Sequence, residues 1–113
     1  MAKTRSPEEV RQFAESLLSQ GESIELYMPS HESFQIVTNR RYVNGFLNGD
    51  GAASHQSIPF HQIASVELQT LDVDDDDWHF KLEGSFAHFT LRIRGQGEQA
   101  MRLYAVLTDK VCR

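Results

Sequence analysis

The apolar residues of this chain change their spacing at Gly21 and change it back at Glu98, and that double switch limits the fold more than any other feature. Between the two points they fall on every second residue, the period of a strand with one buried face. Ile24, Leu26 and Met28 alternate with Ser23, Glu25 and Tyr27, and Phe34, Ile36 and Thr38 alternate with Gln35 and Val37. After a tight Asn39-Arg40 connection, Arg41 to Leu47 is apolar on both faces, with Tyr42 and Phe46 on one and Val43 and Leu47 on the other. A polar strand from Ala53 to Ile58 comes next, ended by Pro59 and a short turn through His61. Ala64, Val66 and Leu68, then Trp78, Phe80 and Leu82, then Ala87, Phe89, Leu91 and Ile93 complete seven strands. Turns are marked by Pro29-Ser30-His31-Glu32, Asn48-Gly49-Asp50-Gly51, the acidic run Asp72 to Asp77, and Gly84-Ser85. Strands that each bury one face must pack as two sheets or curl into a barrel.

Outside those points the period is helical. Residues 6–20 predict a helix with Ser6 as N-cap, Pro7 in the first turn and Glu9 completing a capping box. Val10, Phe13, Ala14, Leu17 and Leu18 form its apolar face, and Gly21 is the expected stop. Residues 98–112 predict a second helix after Gly95-Gln96-Gly97, with Ala100, Met101, Tyr104, Leu107, Thr108 and Val111 along the core face. That helix is expected to close an open end or face of the barrel.

At 113 residues the chain is sized for one domain, 1–113, with the barrel over 22–94. Its net charge is -5 and its Lys and Arg residues are scattered, which argues against nucleic acid and against an acidic membrane surface as partners. No apolar run nears the ~20 residues a membrane-spanning helix needs. Met1 to Ser6 is short and polar, so no signal peptide is expected, and Cys112 as the one cysteine makes no internal disulfide. The expected location is the cytoplasm.

Seven strands followed by one amphipathic helix is the element order of the pleckstrin-homology fold. Three segments carry a closer resemblance to the short bacterial pleckstrin-homology domains, the YvbH-like group. They are Gly21-Glu22-Ser23-Ile24-Glu25-Leu26, then Thr38-Asn39-Arg40-Arg41, then Ser57-Ile58-Pro59-Phe60-His61-Gln62-Ile63 leading into Ala64-Ser65-Val66-Glu67-Leu68. The resemblance implies a mainly β (α+β) fold: a seven-stranded barrel of two sheets, capped by the C-terminal helix, with an extra N-terminal helix. It also implies a non-enzymatic module, in a group where some members assemble into rings. The physics of these segments concerns turns and strand ends, so they point to a fold and not to a chemistry.

Several residues invite a functional reading. Asp72, Asp74 and Asp76 fall at the first, third and fifth positions of a calcium-loop count with Glu83 at the twelfth, but Asp77 stands where that loop needs glycine. The same run, Asp72 and Asp74 to Asp77, suits a solvated turn or a docking surface for a basic partner. Tyr42 and Phe46, on the second apolar face of the third strand, need a cover: the N-terminal helix or another subunit. Arg40 and Arg41 read as surface charges flanking a turn. The Pro29 to Glu32 loop carries no Lys or Arg, so the lipid-headgroup site of eukaryotic relatives does not carry over. His79 and His88 on neighbouring strands suggest a metal pair, but exposed polar-face histidines are far commoner. No nucleophile elbow, phosphate loop or dinucleotide fingerprint is present, so no catalytic residue, cofactor or metal is expected.

The expectation is a non-catalytic interaction or self-assembly module, with Asp72, Asp74, Asp75, Asp76, Asp77, Tyr42 and Phe46 as its surface and a protein or a second copy as partner. The alternatives are a domain for a small molecule or lipid headgroup, and a calcium-dependent module using 72–77.

Overall fold

The structure is a computed structural model and describes residues 5–30, 33–85 and 88–112. Its elements run α1 (Pro7–Ser16), β1 (Ile24–Ser30), β2 (Ser33–Thr38), β3 (Arg41–Leu47), β4 (Ala53–Pro59), a 3-10 turn (Phe60–Gln62), β5 (Ile63–Asp72), β6 (Asp77–Gly84), β7 (His88–Arg94) and α2 (Gly97–Val111). The strands pair as two sheets, in the orders β1-β2-β3-β4 and β5-β6-β7. The chain divides into two compact units, Met1–Ser57 and Ile58–Arg113. The His31-Glu32 turn and Ala87, the expected first residue of the seventh strand, lie outside the described residues.

In the first unit α1 begins as its residues dictate. Ser6 Oγ accepts from the Glu9 N–H at 3.1 Å, and Glu9 Oε1 accepts from the Ser6 N–H at 3.3 Å. Val10 and Ala14 are fully buried against Phe34 and Ile36 of β2 and Val43 of β3, with Phe13, Leu17, Ile24 and Tyr27 packed around them. Each large apolar side chain buried this way contributes about 1.5–3 kcal/mol. α1 therefore covers the Val43 face of β3. Tyr42, on the opposite face beside Val37, is also fully buried.

Two expectations change in this unit. α1 ends at Ser16, not at residue 20, because the groups beyond it have other partners. The Leu17 carbonyl accepts from Arg41 at 2.7 Å, and the Ser19 N–H donates to Glu22 at 2.9 Å, so side chains replace the next helical bonds. Gly21 still takes a left-handed conformation, at φ +80, but within the loop. The period-2 pattern of β1 is also broken. A register shift between Ile24 and Leu26 puts Ile24 on the α1 side with Tyr27, while Leu26 and Met28 stay opposite Val37 and Gln35. One extra residue in a strand re-aims its side chains in this way.

Tyr27 supplies a test of this packing. Its hydroxyl is buried without a hydrogen-bond partner among the described residues, and the Arg11 guanidinium lies 4.9 Å from its ring centre. Desolvation accordingly raises its pKa. Tyr27→Phe removes the orphaned group and keeps the ring, so stability should stay level or rise by up to ~1 kcal/mol. Urea denaturation measures it, and a loss above that size would show that the hydroxyl does have a partner.

In the second unit β6 is central. Ser65↔Glu83 through Thr70↔Trp78 align it with β5, and Trp78↔Ile93 through Glu83↔His88 align it with β7. Val66, Leu68, Trp78, Phe80, Leu82, Phe89, Leu91 and Ile93 share one face, and the polar residues between them share the other. α2 packs on this sheet and on the 3-10 turn. Its buried stripe is Gly97, Ala100, Leu103 and Leu107. Met101 and Tyr104, expected on the core face, are half-exposed instead. Gly97 sets the phase: it is pressed against Asp76 and Trp78, and the stripe runs on from it at helical spacing.

Candidate interaction surface

Two of the three segments that carry the family resemblance meet in the first unit, joined there by Ser57, the first residue of the third. Glu22, whose side chain is fully enclosed, accepts from Arg41 Nε at 2.9 Å on Oε2 and from a terminal Arg41 nitrogen at 3.0 Å on Oε1. Thr38 Oγ1 donates to the same carboxylate at 2.6 Å and accepts from the backbone N–H groups of Arg40 and Arg41 at 3.0 Å. Asn39 Oδ1 accepts from the Ser23 N–H at 2.9 Å, and Arg41 also reaches Ser57 Oγ at 3.2 Å. The Arg41 guanidinium holds the Glu22 carboxyl down from 4.5 to about 2, against the opposing effect of burial. Arg41 is thus not a free surface charge; it is the clamp of this turn. The side chains of Glu22, Thr38, Asn39 and Arg41 are all spent on bonds within the cluster, which suits a structural role.

The acidic run is divided in the same way between structure and surface. Asp72 and Asp77 are paired strand residues, and only Val73 to Asp76 form the turn. Asp72 Oδ1 accepts from the N–H groups of Asp74 at 3.0 Å and Asp75 at 3.3 Å. Asp76 adopts φ 52, a left-handed conformation that Asp tolerates better than most residues. Its Oδ1 accepts from the Trp78 indole at 2.7 Å, and its Oδ2 accepts from the Gly97 N–H at 3.1 Å. α2 has no side-chain cap of its own, so Asp76 serves its first turn from across the chain. Asp77 is buried and takes a two-pronged bond from Arg92, at 3.0 and 2.6 Å, with Arg94 3.9 Å away. Arg92 holds its carboxyl below the usual range.

What remains outward is a narrower surface than the sequence suggested. Asp74 and Asp75 are exposed, flanked by Val73 at 71% and Leu71 at 48% exposure. Tyr42 is enclosed, so of the expected pair only Phe46, 39% exposed, lies at the surface. Sequence reasoning missed Leu71 and Val73, although two apolar residues beside a run of aspartates were a readable sign. It also missed the cap from Asp76, whose signal was a helix start without Ser, Thr, Asp or Asn before it.

No metal cluster is formed among the described residues. The carboxylates of Asp72, Asp76 and Asp77 face internal donors, which leaves the calcium reading without a ligand set. His79 pairs with Arg92 and His88 with Glu83, so the two imidazoles stand four residues apart along β6, about 13 Å at strand rise. That is too far to share an ion.

Solved structures resemble this arrangement over nearly its whole length. A pleckstrin-homology domain from Shewanella amazonensis SB2B aligns with a TM-score of 0.69 at 18% identity, covering 96% of this chain and 91% of the other. A DUF1696 family protein with a pleckstrin-homology domain from Shewanella loihica PV-4 aligns with a TM-score of 0.71 at 20% identity, covering 97% of each. A bacterial protein containing such a domain, from Exiguobacterium sibiricum 255-15, aligns with a TM-score of 0.68 at 21% identity; 96% of this chain matches 61% of that one. The chain therefore has the pleckstrin-homology-like fold seen in these bacterial proteins, with a leading helix and two antiparallel sheets. At such identities the likeness is one of fold. No family model and no curated protein matches the sequence.

Proposed function

We propose that this chain is a non-catalytic pleckstrin-homology-like module, acting in the cytoplasm, that docks a protein partner on the β5–β6 hairpin. The observation that carries this reading is the construction of the turn. Asp72, Asp76 and Asp77 hold it in one shape, and it presents Leu71, Val73, Asp74 and Asp75 to solvent. A surface already ordered before binding loses less entropy on association. Apolar side chains ringed by acidic ones suit a partner that is itself apolar with a basic rim. Among the described residues no helix is long and apolar enough to cross a membrane.

The test is affinity capture from a lysate of the source organism. The tagged chain is run beside a variant with Leu71→Ser, Val73→Ser, Asp74→Asn and Asp75→Asn, which leaves Asp76 and Asp77 in place. These four side chains are exposed and spare the internal bonds described above except the turn's own backbone, so each change should alter stability by no more than about 0.5 kcal/mol. A specific partner lost with the variant is the expected result. A partner retained at full yield would place the surface elsewhere, and recovery of the chain alone would favour self-assembly.

A further inference from the structure

We propose that the outer edge of β5 accepts an extended segment of the partner as an added antiparallel strand, and that the segment alternates basic and apolar residues. This rests on the reading above and specifies the partner's chemistry. β5 is an end strand of its sheet. After Ile63 none of its residues through Asp72 is buried on either face. Among the described residues the backbone from Ser65 to Thr70 has no hydrogen bonds beyond those to β6, which leaves alternate N–H and C=O groups pointing outward. Its pairing is regular from Ser65 to Thr70, between two register shifts, which gives an uninterrupted edge of six residues. It holds no Pro, Lys or Arg, and between the two register shifts its one charged residue is Glu67, so that stretch is only lightly protected as an edge.

The other three end strands differ. β1 carries a register shift and Pro29. β4 is exposed but has no charged side chain to select a partner. β7 carries Arg92 and Arg94 and would repel a basic segment. Only β5 combines a regular open edge with acidic charge, at Glu67 and Asp72, and it runs into Asp74 and Asp75. The chemistry of the occupant follows from its two faces. Ser65, Glu67 and Gln69 lie on one face and half-exposed Val66 and Leu68 on the other. A strand laid beside them places one set of alternate side chains near Glu67 and the other near Val66 and Leu68. Backbone pairing supplies the affinity and these side chains the selection.

The probe is an acetylated, amidated heptapeptide alternating Lys and Val, followed by amide hydrogen exchange on the intact chain. The expected result is that amides between Ser65 and Thr70 that exchange freely in the unbound protein gain at least roughly tenfold protection. A Glu-Val heptapeptide should give none, and Glu67→Lys should weaken the Lys-Val peptide by roughly fivefold, the scale of reversing one exposed ion pair. N-methylation of one alternate set of peptide amides should abolish binding, while methylation of the other set leaves it, because only one set faces the edge. Binding that tolerates both methylated sets, or protection confined to other strands, would overturn the proposal. If either occurs while partner capture still depends on Leu71, Val73, Asp74 and Asp75, strand addition alone is wrong. Loss of that dependence as well would overturn the docking reading with it.

Discussion

Glu22→Ala should lower the folding stability by about 2–4 kcal/mol, the largest loss expected from removing any one polar side chain described above. The change deprives Arg41 of both hydrogen-bonded oxygens, leaves Thr38 Oγ1 without its acceptor and frees the Ser19 N–H that follows α1. Breaking an enclosed ion pair costs more than the pair contributes, because the surviving charge is left in a poorly hydrated place. Arg41 is partly exposed, which keeps the estimate below the top of the usual range. Arg41→Lys should recover little, since an ammonium cannot reproduce the two-pronged bond together with the contacts to Leu17 and Ser57. Guanidinium denaturation followed by circular dichroism measures each variant.

The same pair fixes a pH dependence. The folded-state pKa of Glu22, about 2, lies below the ordinary 4.5, so the folded chain binds its proton less readily than the unfolded chain. The contribution is therefore complete above about pH 5 and drains away as the pH falls toward 2. Its size, from a shift of this extent, is roughly 3 kcal/mol. In Glu22→Gln that part of the acid sensitivity should vanish, so the gap between wild type and variant should narrow as pH is lowered. A gap that stays constant from pH 7 to pH 3 would show that Glu22 is not held ionised by Arg41.

Gly97→Ala is the second change with a large expected effect. A methyl group there would overlap the Asp76 carboxylate and lie 2.5 Å from the Trp78 indole nitrogen. The backbone at Gly97 is not left-handed, so the cost is steric. Relief requires α2 to move or Asp76 to give up its bonds to Trp78 and to the Gly97 N–H. A loss of about 1–3 kcal/mol is expected, the range for forcing extra volume into a packed site. Because Asp76 also shapes the turn, faster amide exchange at Asp74 to Asp76 and a shift in Trp78 fluorescence should accompany the loss. Asp76→Ala should reproduce both signs with a smaller stability loss, about 1 kcal/mol, as for other helix-cap deletions. Unchanged fluorescence and exchange in Gly97→Ala would separate the turn from the helix start.

The order of helices and strands was legible because apolar spacing responds directly to burial, and burial alternates cleanly in β7 and in β6 from His79 to Glu83. Where tertiary bonds intervene, spacing misleads. The extra residue at Glu25 turns Ile24 to the other face, which no period-2 count reveals. α1 stops early because Arg41, distant in sequence, takes the Leu17 carbonyl. Met101 and Tyr104 lie close enough in angle to Ala100 and Leu107 to pass for core. The choice among them is made by Gly97, whose missing side chain sets the helix against Asp76 and Trp78. The candidate surface was legible as a place, the acidic run, but not as a set of roles. Six consecutive residues with five aspartates look alike in sequence; only their partners distinguish the anchors Asp72, Asp76 and Asp77 from the outward Asp74 and Asp75.

The most direct measurement is amide hydrogen exchange on the chain with and without its captured partner. The account predicts new protection concentrated in residues 65–76, the exposed edge and the ordered turn, with little change in β2 and β3. Protection centred on β3 around Phe46 or on the exposed side of α2 at Met101 and Tyr104, with residues 65–76 unaffected, would contradict it.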